Sequence, residues 1–336
     1  NFTTLKVGGP AQKIVHAHTE DELVEFVKAA DKAGEKVLIL GGGSNLLISD
    51  AGFAGTVIRV ESKGNALDYD ACSGGMIEVS AGEDWDKFVE LTIEKGFADL
   101  ESLSGIPGTV GGAPIQNIGA YGHEVSETIA RVKAYDRKKG EVITFTNEQC
   151  HFSYRNSAFK EDAGRYVILN VTFQLRKGEM SLPITYAELA NYLSVNLGDR
   201  APVMKVRQAV LELRGRKGML INSSDVNSNS AGSFFVNPIL TKEIADKLPA
   251  DAPRWPQSDG RVKTSAAWLM EHAGVNKGEK LAGAQISSKH VLALTNSGDA
   301  TADNIIELAK MARAKVFEKF GIKLEAEVQL VGLDLN

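Results

Sequence analysis

Between Ile106 and Gly122 the chain reads IPGTVGGAPIQNIGAYG, a segment dense in glycine, without charge, and carrying Gln116, Asn117 and Tyr121. Glycine lets main chain take positive φ and lie flat against a ligand. Runs of N–H groups in such turns form concave sites for anions such as phosphate. The two amides and the phenol add neutral donors for a heterocycle or a phosphate. The chemistry this composition serves is cofactor binding; the bland alternative is a surface loop with glycine turns. A second glycine loop, GGGSNLLI from Gly41 to Ile48, decides between them. It follows Val37-Leu38-Ile39-Leu40, an apolar run that reads as a buried strand. Strand then glycine turn is the arrangement of nucleotide loops. The loop has no G-x-G-x-x-G spacing, no helix opening directly after it and no Lys-Ser/Thr, so neither the dinucleotide fingerprint nor a P-loop is present.

Charge supplies a third candidate. The chain has 38 Lys and Arg against 43 Asp and Glu, a net charge of -5, which speaks against a general nucleic-acid binder. Yet Lys205, Arg207, Arg214, Arg216 and Lys217 crowd together, an island that would draw an anionic small molecule. Lys205 and Arg207 read as a solvated helix face. Arg214 to Lys217 stand where the helical pattern ends, beside Gly215 and Gly218, and are better placed to reach a ligand.

The elements that must position these residues follow from periodicity. Thr19-Glu20-Asp21-Glu22 has the form of a capping box, and Leu23, Val27 and Ala30 recur at helical spacing until Gly34. Thr56 to Val60 and Met76 to Ser80 read as strands, with 65–75 as a polar connection. Asp84 is expected to cap a second helix through Trp85, Phe88 and Thr92 to Gly96. Strands at Ile129 to Tyr135, Glu141 to Phe145 and Tyr166 to Leu175 are expected to be mostly antiparallel. Val203, Val206, Val210 and Leu213 mark a helix, and the polar stretch from Asn222 to Ser230 reads as mobile. Helical patterns follow at Ala266 to His272 and at Ala302 to Phe320, where Ile305, Leu308, Ala312 and Val316 share a side. The closing strand, Leu324 to Val331, alternates Leu324, Ala326, Val328 and Leu330 with Glu325, Glu327 and Gln329.

The chain has 336 residues, enough for two or three cores, with an ordinary 43% hydrophobic and 24% charged content. No apolar run approaches bilayer length, so no membrane span is expected. Two cysteines, Cys72 and Cys150, suit a reducing cytoplasm and read as packing residues. The first residue is Asn1 rather than methionine, so a short N-terminal piece is expected to be missing.

The two glycine loops together resemble the flavin-binding domain of the vanillyl-alcohol-oxidase type. Their wording is most similar to the UDP-N-acetylenolpyruvoylglucosamine reductase family of bacterial peptidoglycan synthesis, in the longer type with a tyrosine loop. The resemblance keeps the same order from NFTTLKVGGPA to the last strand. It implies an α+β architecture: a two-part FAD-binding domain over 1–177, with subdomains 1–60 and 61–177, and a C-terminal α+β substrate domain over 178–336. The strand 324–331 is expected to return to the flavin domain.

What the resemblance implies residue by residue is specific. Arg155 in HFSYRNSAFK matches the catalytic arginine, Ser233 in GSFF the proton donor, and Glu327 in LEAEVQLVG the catalytic glutamate. FAD, held noncovalently, would be met by Gly41, Gly42, Gly43, Ser44, Asn45, Leu46, Ile106, Gly111, Gly112, Gln116, Asn117, Gly119 and Ala120. Tyr121, Tyr186, Arg214, Lys217 and Asn237 would face the UDP-sugar nucleotide, with NADPH as co-substrate. Tyr186 on its own reads equally as a half-buried strand tyrosine. Hydride addition to an enolpyruvyl ether builds negative charge at the neighbouring carbon and its carboxylate, which must be met where it develops. Arg155 and Glu327 would orient and polarise that carboxylate, Glu327 with a raised pKa, and Ser233 would deliver the proton.

There are departures. Gly111-Gly112 replaces a hydroxyl pair found in some members, so a backbone bond to the flavin phosphate is expected there. Ser230 stands where asparagine is common, and Gln329 replaces a basic residue. No residue is assigned to a metal, and no nucleic acid, membrane or obligate protein partner is expected. The alternatives are a flavin oxidase tethered through a histidine, His123 being nearest to the loops, and a catalytically silent sugar-nucleotide binder.

Overall fold

The computed structural model describes residues 2–70 and 74–336; Asn1 and Cys72 lie outside the described residues. Packing divides the chain into two compact units, one of residues 11–43 and 54–216, the other of 1–10, 44–53 and 217–336. In packing terms the break falls after 216 rather than after 177. The reason is apolar: Val206, Val210 and Leu213 of the helix Val203–Arg216 share a core with Ile184, Leu189 and Tyr121. Likewise Leu5, Val7 and Leu47 bury with Ile305, Leu308 and Leu324, which attaches two early segments to the last third of the chain.

Two larger sheets organise the first unit. Ala11–Ala17, Phe53–Val60 and Val37–Leu40 form one in that order, with Val37–Leu40 parallel to Phe53–Val60. The helix Glu20–Lys32 buries Leu23, Val27 and Ala30. Its Thr19 cap accepts from the Glu22 N–H at 3.1 Å, but the Glu22 carboxylate takes the N–H of His18, so the expected box is only half formed. The second sheet runs Glu141–Thr146, Ile129–Asp136, Tyr166–Leu175, Gly74–Ser80, Asn65–Asp70, and is antiparallel throughout. Trp85 and Phe88 of the helix Trp85–Glu94 pack on Phe173 of its central strand, and Asp84 caps that helix as expected. The stretch 65–75 is no mere connection, since Asn65–Asp70 is an edge strand. Its alternation, Leu67 and Tyr69 with Asp68 and Asp70, is short, and residues 65–68 are all exposed. Cys150 is buried, and burial pushes its thiol up to about 12, which leaves it inert at neutral pH.

The second unit is built on the antiparallel sheet Ser230–Ser233, Ala293–Asn296, Ala284–Ile286, Lys280–Leu281. The helices Ala266–His272 and Ala302–Phe320 begin and end as the periodicity predicts. Asp50 accepts from Ala302 N at 2.9 Å and Asp303 N at 3.1 Å, setting a carboxylate at the positive end of the long helix. The last strand is shorter than expected, Gln329–Val331, and pairs in parallel with Leu46–Ile48. The stretch 222–230 is pinned rather than loose. Asn227 Oδ1 accepts from Ser287 Oγ, Ser288 N and Ser288 Oγ at 2.8, 2.9 and 3.1 Å, and Lys289 pairs with Asp225 at 2.7 Å. These partners are remote in sequence, which hides them from local composition.

Candidate active site

In the first unit the two glycine loops touch. A Cβ on Gly42 would stand 2.7 Å from the Gly108 Cα, and one on Gly41 would stand 2.5 Å from Thr109 Oγ1. No side chain fits between them, so two stretches of bare backbone lie together, with the Thr109 hydroxyl at their edge. The Thr109 hydroxyl was not singled out by sequence reasoning, although it lies inside the glycine-rich segment.

The N–H groups at the turn Val110–Gly112 are spent on the protein. Gly111 N donates to Ala81 O at 2.8 Å, Gly112 N to Thr109 O at 2.9 Å, and Ala113 N to Val110 O at 3.2 Å. The expected backbone bond from Gly111-Gly112 to a phosphate is therefore not on offer in this geometry. Asn117 is also committed. It is fully buried; its Nδ2 donates to Glu124 Oε2 at 2.7 Å and Ser153 O at 3.1 Å, and its Oδ1 accepts from Ser126 N at 3.1 Å. Its amide braces the loop and is not spare for a ligand. The loops still fit a cofactor approached by backbone: a Cβ at Gly41, Gly42 or Gly111 would strike Thr109, Gly108 or Ala81, whereas Gly112 has room for one, so bare main chain is what these positions present.

The end of the long loop is a hairpin. Gly119 faces Glu124 and Ala120 faces His123, leaving Tyr121 and Gly122 as a two-residue turn. Both have positive φ, 50° and 89°, the mark of a type I′ turn. A tyrosine in that conformation is strained and is held by its surroundings. Its ring is buried and meets Tyr186 edge-on at 5.6 Å. Tyr186 is no strand residue; it stands at the N-terminal cap of the helix Ala187–Leu193.

Arg214 completes this cluster. It is buried, which pulls its guanidinium pKa down against the opposing influence of Tyr121 and Asp86. Burial pushes the Tyr121 hydroxyl up to about 12, Arg214 resisting, so it remains a donor at neutral pH. Burial also raises Tyr186, with Glu188 adding to it. Three expected substrate residues, Tyr121, Tyr186 and Arg214, thus share one neighbourhood.

Arg155 is anchored in the same unit. Tyr154 and Arg155 form a tight turn closed by Ser153 N to Asn156 O at 3.1 Å and Asn156 N to Ser153 O at 3.0 Å, with Arg155 at φ 54°. Its Nη2 donates to Gly119 O at 2.8 Å, and the guanidinium lies 5.2 Å from the Tyr154 ring centroid. The arginine is thereby fixed beside the hairpin base. Arg207 is the clear correction, because it is buried and not solvated. It grips Asp86 with two bonds, 2.6 and 3.0 Å, and Asp86 Oδ1 also accepts from Gly105 N at 2.6 Å. One carboxylate therefore ties two helices to the head of the glycine segment. Nothing local in the sequence marks Asp86 for this.

In the second unit Ser233, Glu327 and Asn45 converge. Ser230 lies opposite Thr295 and Ser233 opposite Ala293, so one extra residue is inserted on the serine strand. Gly232, at φ 74°, makes the bulge, a device that re-aims the following side chain. Phe234 and Phe235 are buried beneath it. Phe234 O accepts from Glu327 N at 2.8 Å, and Phe235 pairs with Ala326. Asn45 Nδ2 donates to Glu327 O at 3.2 Å. Glu327 is half-buried while Glu325 and Gln329 are exposed. Asn237 uses its Oδ1 to accept from Ala266 N at 2.9 Å, which leaves its amide NH2 as the group it can present. Lys217 is half-buried at the chain's entry to this unit.

Comparison with known proteins agrees with these loops. Residues 11–146 match the FAD binding domain family, and residues 224–331 match the family described as UDP-N-acetylenolpyruvoylglucosamine reductase, C-terminal domain. The chain is 50% identical over 334 residues to the UDP-N-acetylenolpyruvoylglucosamine reductase of Cutibacterium acnes, covering 98% of this chain and 88% of that one. It is 47% identical over 345 residues to the same enzyme of Streptomyces avermitilis, covering 99% and 93%. The crystal structure of UDP-N-acetylenolpyruvylglucosamine reductase from Thermus caldophilus is similar over 98% of this chain and 96% of that one, at a TM-score of 0.66 and 26% identity.

Proposed function

The chain belongs to the UDP-N-acetylenolpyruvoylglucosamine reductase family, and on that premise we propose how its own residues serve the reaction. It is an FAD oxidoreductase that reduces the enolpyruvyl group of UDP-N-acetylglucosamine enolpyruvate to UDP-N-acetylmuramate with NADPH as reductant, a step of peptidoglycan precursor synthesis. When bound, FAD supplies the hydride, having taken its electrons from NADPH.

Residues 1–177 form the flavin domain and 178–336 the substrate domain in this reading. Gly41 to Leu46, Ile106, Gly111, Gly112, Gln116, Gly119 and Ala120 hold the flavin noncovalently, chiefly by letting backbone approach it, and Asn117 braces their loop through its own amide. Tyr121, Tyr186, Arg214, Lys217 and Asn237 bind the sugar nucleotide. Arg155 and a protonated Glu327 would orient and polarise the substrate carboxylate, where negative charge develops once hydride has added to the methylene carbon. Ser233 then gives its proton to the adjacent carbon, which converts the C=C bond to a lactyl ether and leaves an alkoxide to be reprotonated. We assign the reaction to the cytoplasm, which supplies both nucleotides; no helix among the described residues is long and apolar enough to cross a membrane.

The observation that carries this assignment is the bulge at Gly232, which re-aims Ser233 next to Phe234, whose carbonyl accepts from Glu327 N, while the Glu327 carbonyl accepts from Asn45 of a glycine loop. The test is spectroscopic. Anaerobic protein is reduced with NADPH, and UDP-N-acetylglucosamine enolpyruvate is then added. Return of the oxidised-flavin spectrum is expected; a flavin that stays bleached would mean a different electron acceptor.

A further inference from the structure

His123 follows the Tyr121-Gly122 turn directly, and both of its ring nitrogens face acceptors. Nδ1 lies 2.9 Å from Glu127 Oε2, and Nε2 lies 3.2 Å from the carbonyl of Pro183. Neither acceptor carries a proton to give, so satisfying both contacts takes an imidazolium. Pro183 opens the segment that places Thr185 against Gly122 and the Tyr186 ring against Tyr121.

We propose that His123 is a positioning residue: as a cation it clasps the Pro183–Tyr186 segment, 183–186, to the hairpin turn, and its deprotonation loosens that segment and weakens sugar-nucleotide binding. This rests on the assignment of Tyr186 and Tyr121 to the substrate.

The electrostatics agree with the geometry. Burial would push the His123 pKa down, but the bond and charge of Glu127, the Pro183 carbonyl and the Glu101 charge outweigh it and hold the value above the usual one. Glu127 is lowered in turn: burial raises it, and the His123 bond and the Glu124 N–H overcome that. Glu101 is buried and raised by burial, although it accepts from Asp99 N at 2.7 Å. Glu124, next in sequence, is turned to Asn117. Glu188 and Arg214 act on the tyrosines. A raised folded value means that the clasp is complete at low pH and is lost as pH rises through that value. A neutral ring can donate from one nitrogen only, and the charged Glu127 retains it, so the Pro183 bond is the one released.

The test uses the FAD-loaded enzyme between pH 6 and 9. Amide hydrogen exchange of Ile184 to Ala187, corrected for the intrinsic pH dependence, is followed alongside kcat and KM for UDP-N-acetylglucosamine enolpyruvate. In the wild type, protection falls and KM rises about fivefold with one midpoint, the worth of a single hydrogen bond, while kcat relative to the variant stays level. His123→Asn, whose amide nitrogen stands in for Nδ1 and falls short of the Pro183 carbonyl, has the high-pH behaviour throughout. Glu127→Gln moves the midpoint down by about one pH unit, a readout that a purely structural role would not give, and it carries the test alone should His123→Asn not fold. Equal protection in the wild type and His123→Asn at every pH overturns the clasp. Loosening of the segment with a flat KM overturns the assignment of Tyr186 to the substrate and leaves the clasp standing.

Discussion

Asn45 is joined to the chain around Glu327 through both its side chain and its backbone, across 282 residues of sequence. Its Nδ2 donates to the Glu327 carbonyl at 3.2 Å, and its own carbonyl accepts from Gln329 N at 3.0 Å. Asn45 is thus fixed to the backbone on both sides of Val328. Asn45→Ala removes the side-chain bond and keeps the backbone one, so stability falls by about 1 kcal/mol. Substrate reduction is expected to slow more than flavin reduction by NADPH. Urea unfolding and stopped-flow traces of the two half-reactions check this; equal slowing of both would assign Asn45 to the flavin alone.

Ser233 stands on a bulge, so its replacement can be clean. Ser233→Ala removes one hydroxyl and leaves Gly232, Phe234 and the pairing to Glu327 in place. Flavin reduction by NADPH should be intact, and reoxidation by the enolpyruvyl substrate should drop by roughly 10²- to 10⁴-fold, the range for a positioned proton donor. Loss of both half-reactions to the same degree would remove Ser233 from that role.

The two glycine loops permit a paired comparison. Gly42→Ala puts a Cβ 2.7 Å from the Gly108 Cα, where only backbone can yield, so the loops must part. It should cost about 1–3 kcal/mol and most of the FAD affinity. At Gly112 the nearest atom to such a Cβ is Thr109 Oγ1 at 3.9 Å, an ordinary contact. Gly112→Ala should leave the apoprotein's melting temperature unchanged, and any loss of FAD affinity in it reports direct contact with the flavin. Titration of FAD into both apoproteins distinguishes these outcomes; an apoprotein equally stable in both variants would count against the packed-loop account.

How far the sequence revealed this arrangement depended on whether the signal was local. The helices Ala266–His272 and Ala302–Phe320 were legible to the residue, because apolar spacing and capping are written in neighbouring positions. Asn65–Asp70 was misread as part of a connection because its alternation spans only Leu67 to Asp70 and lies among polar neighbours. Arg207 was misread because its partner, Asp86, lies 121 residues away and only the fold unites them. Asn117 looked like a ligand donor by type; its burial and its bonds to Glu124 and Ser153 are tertiary facts. Tyr186 at a helix cap, and not in a strand, is a similar case. The glycine loops were legible as backbone approach, but which N–H groups remained available was not, since Gly111 donates to Ala81, on a remote turn.

Asp86 offers the last test, because one carboxylate serves both packing and site. Burial would raise its pKa, but the bonds from Arg207 and Gly105 N, with the charges of Arg207 and Arg214, lower it below the ordinary 3.8. A depressed folded value means that the stabilisation is present above the unfolded pKa and is lost as pH falls from about 3.8 toward the folded value. Asp86→Asn removes that acid dependence and keeps an acceptor for Gly105. Arg207→Met leaves a half-buried carboxylate with one partner fewer; it should cost about 2 kcal/mol, less than for a fully buried pair because Asp86 is partly exposed. Asp86→Ala loses the Gly105 bond as well, and should weaken FAD binding beyond its effect on folding. Urea midpoints from pH 5 to pH 3, with FAD titrations at pH 7, separate the two roles. The same acid slope in wild type and Asp86→Asn would show that the pair does not govern stability there, and unchanged FAD affinity in Asp86→Ala would detach Gly105 from the cofactor loop.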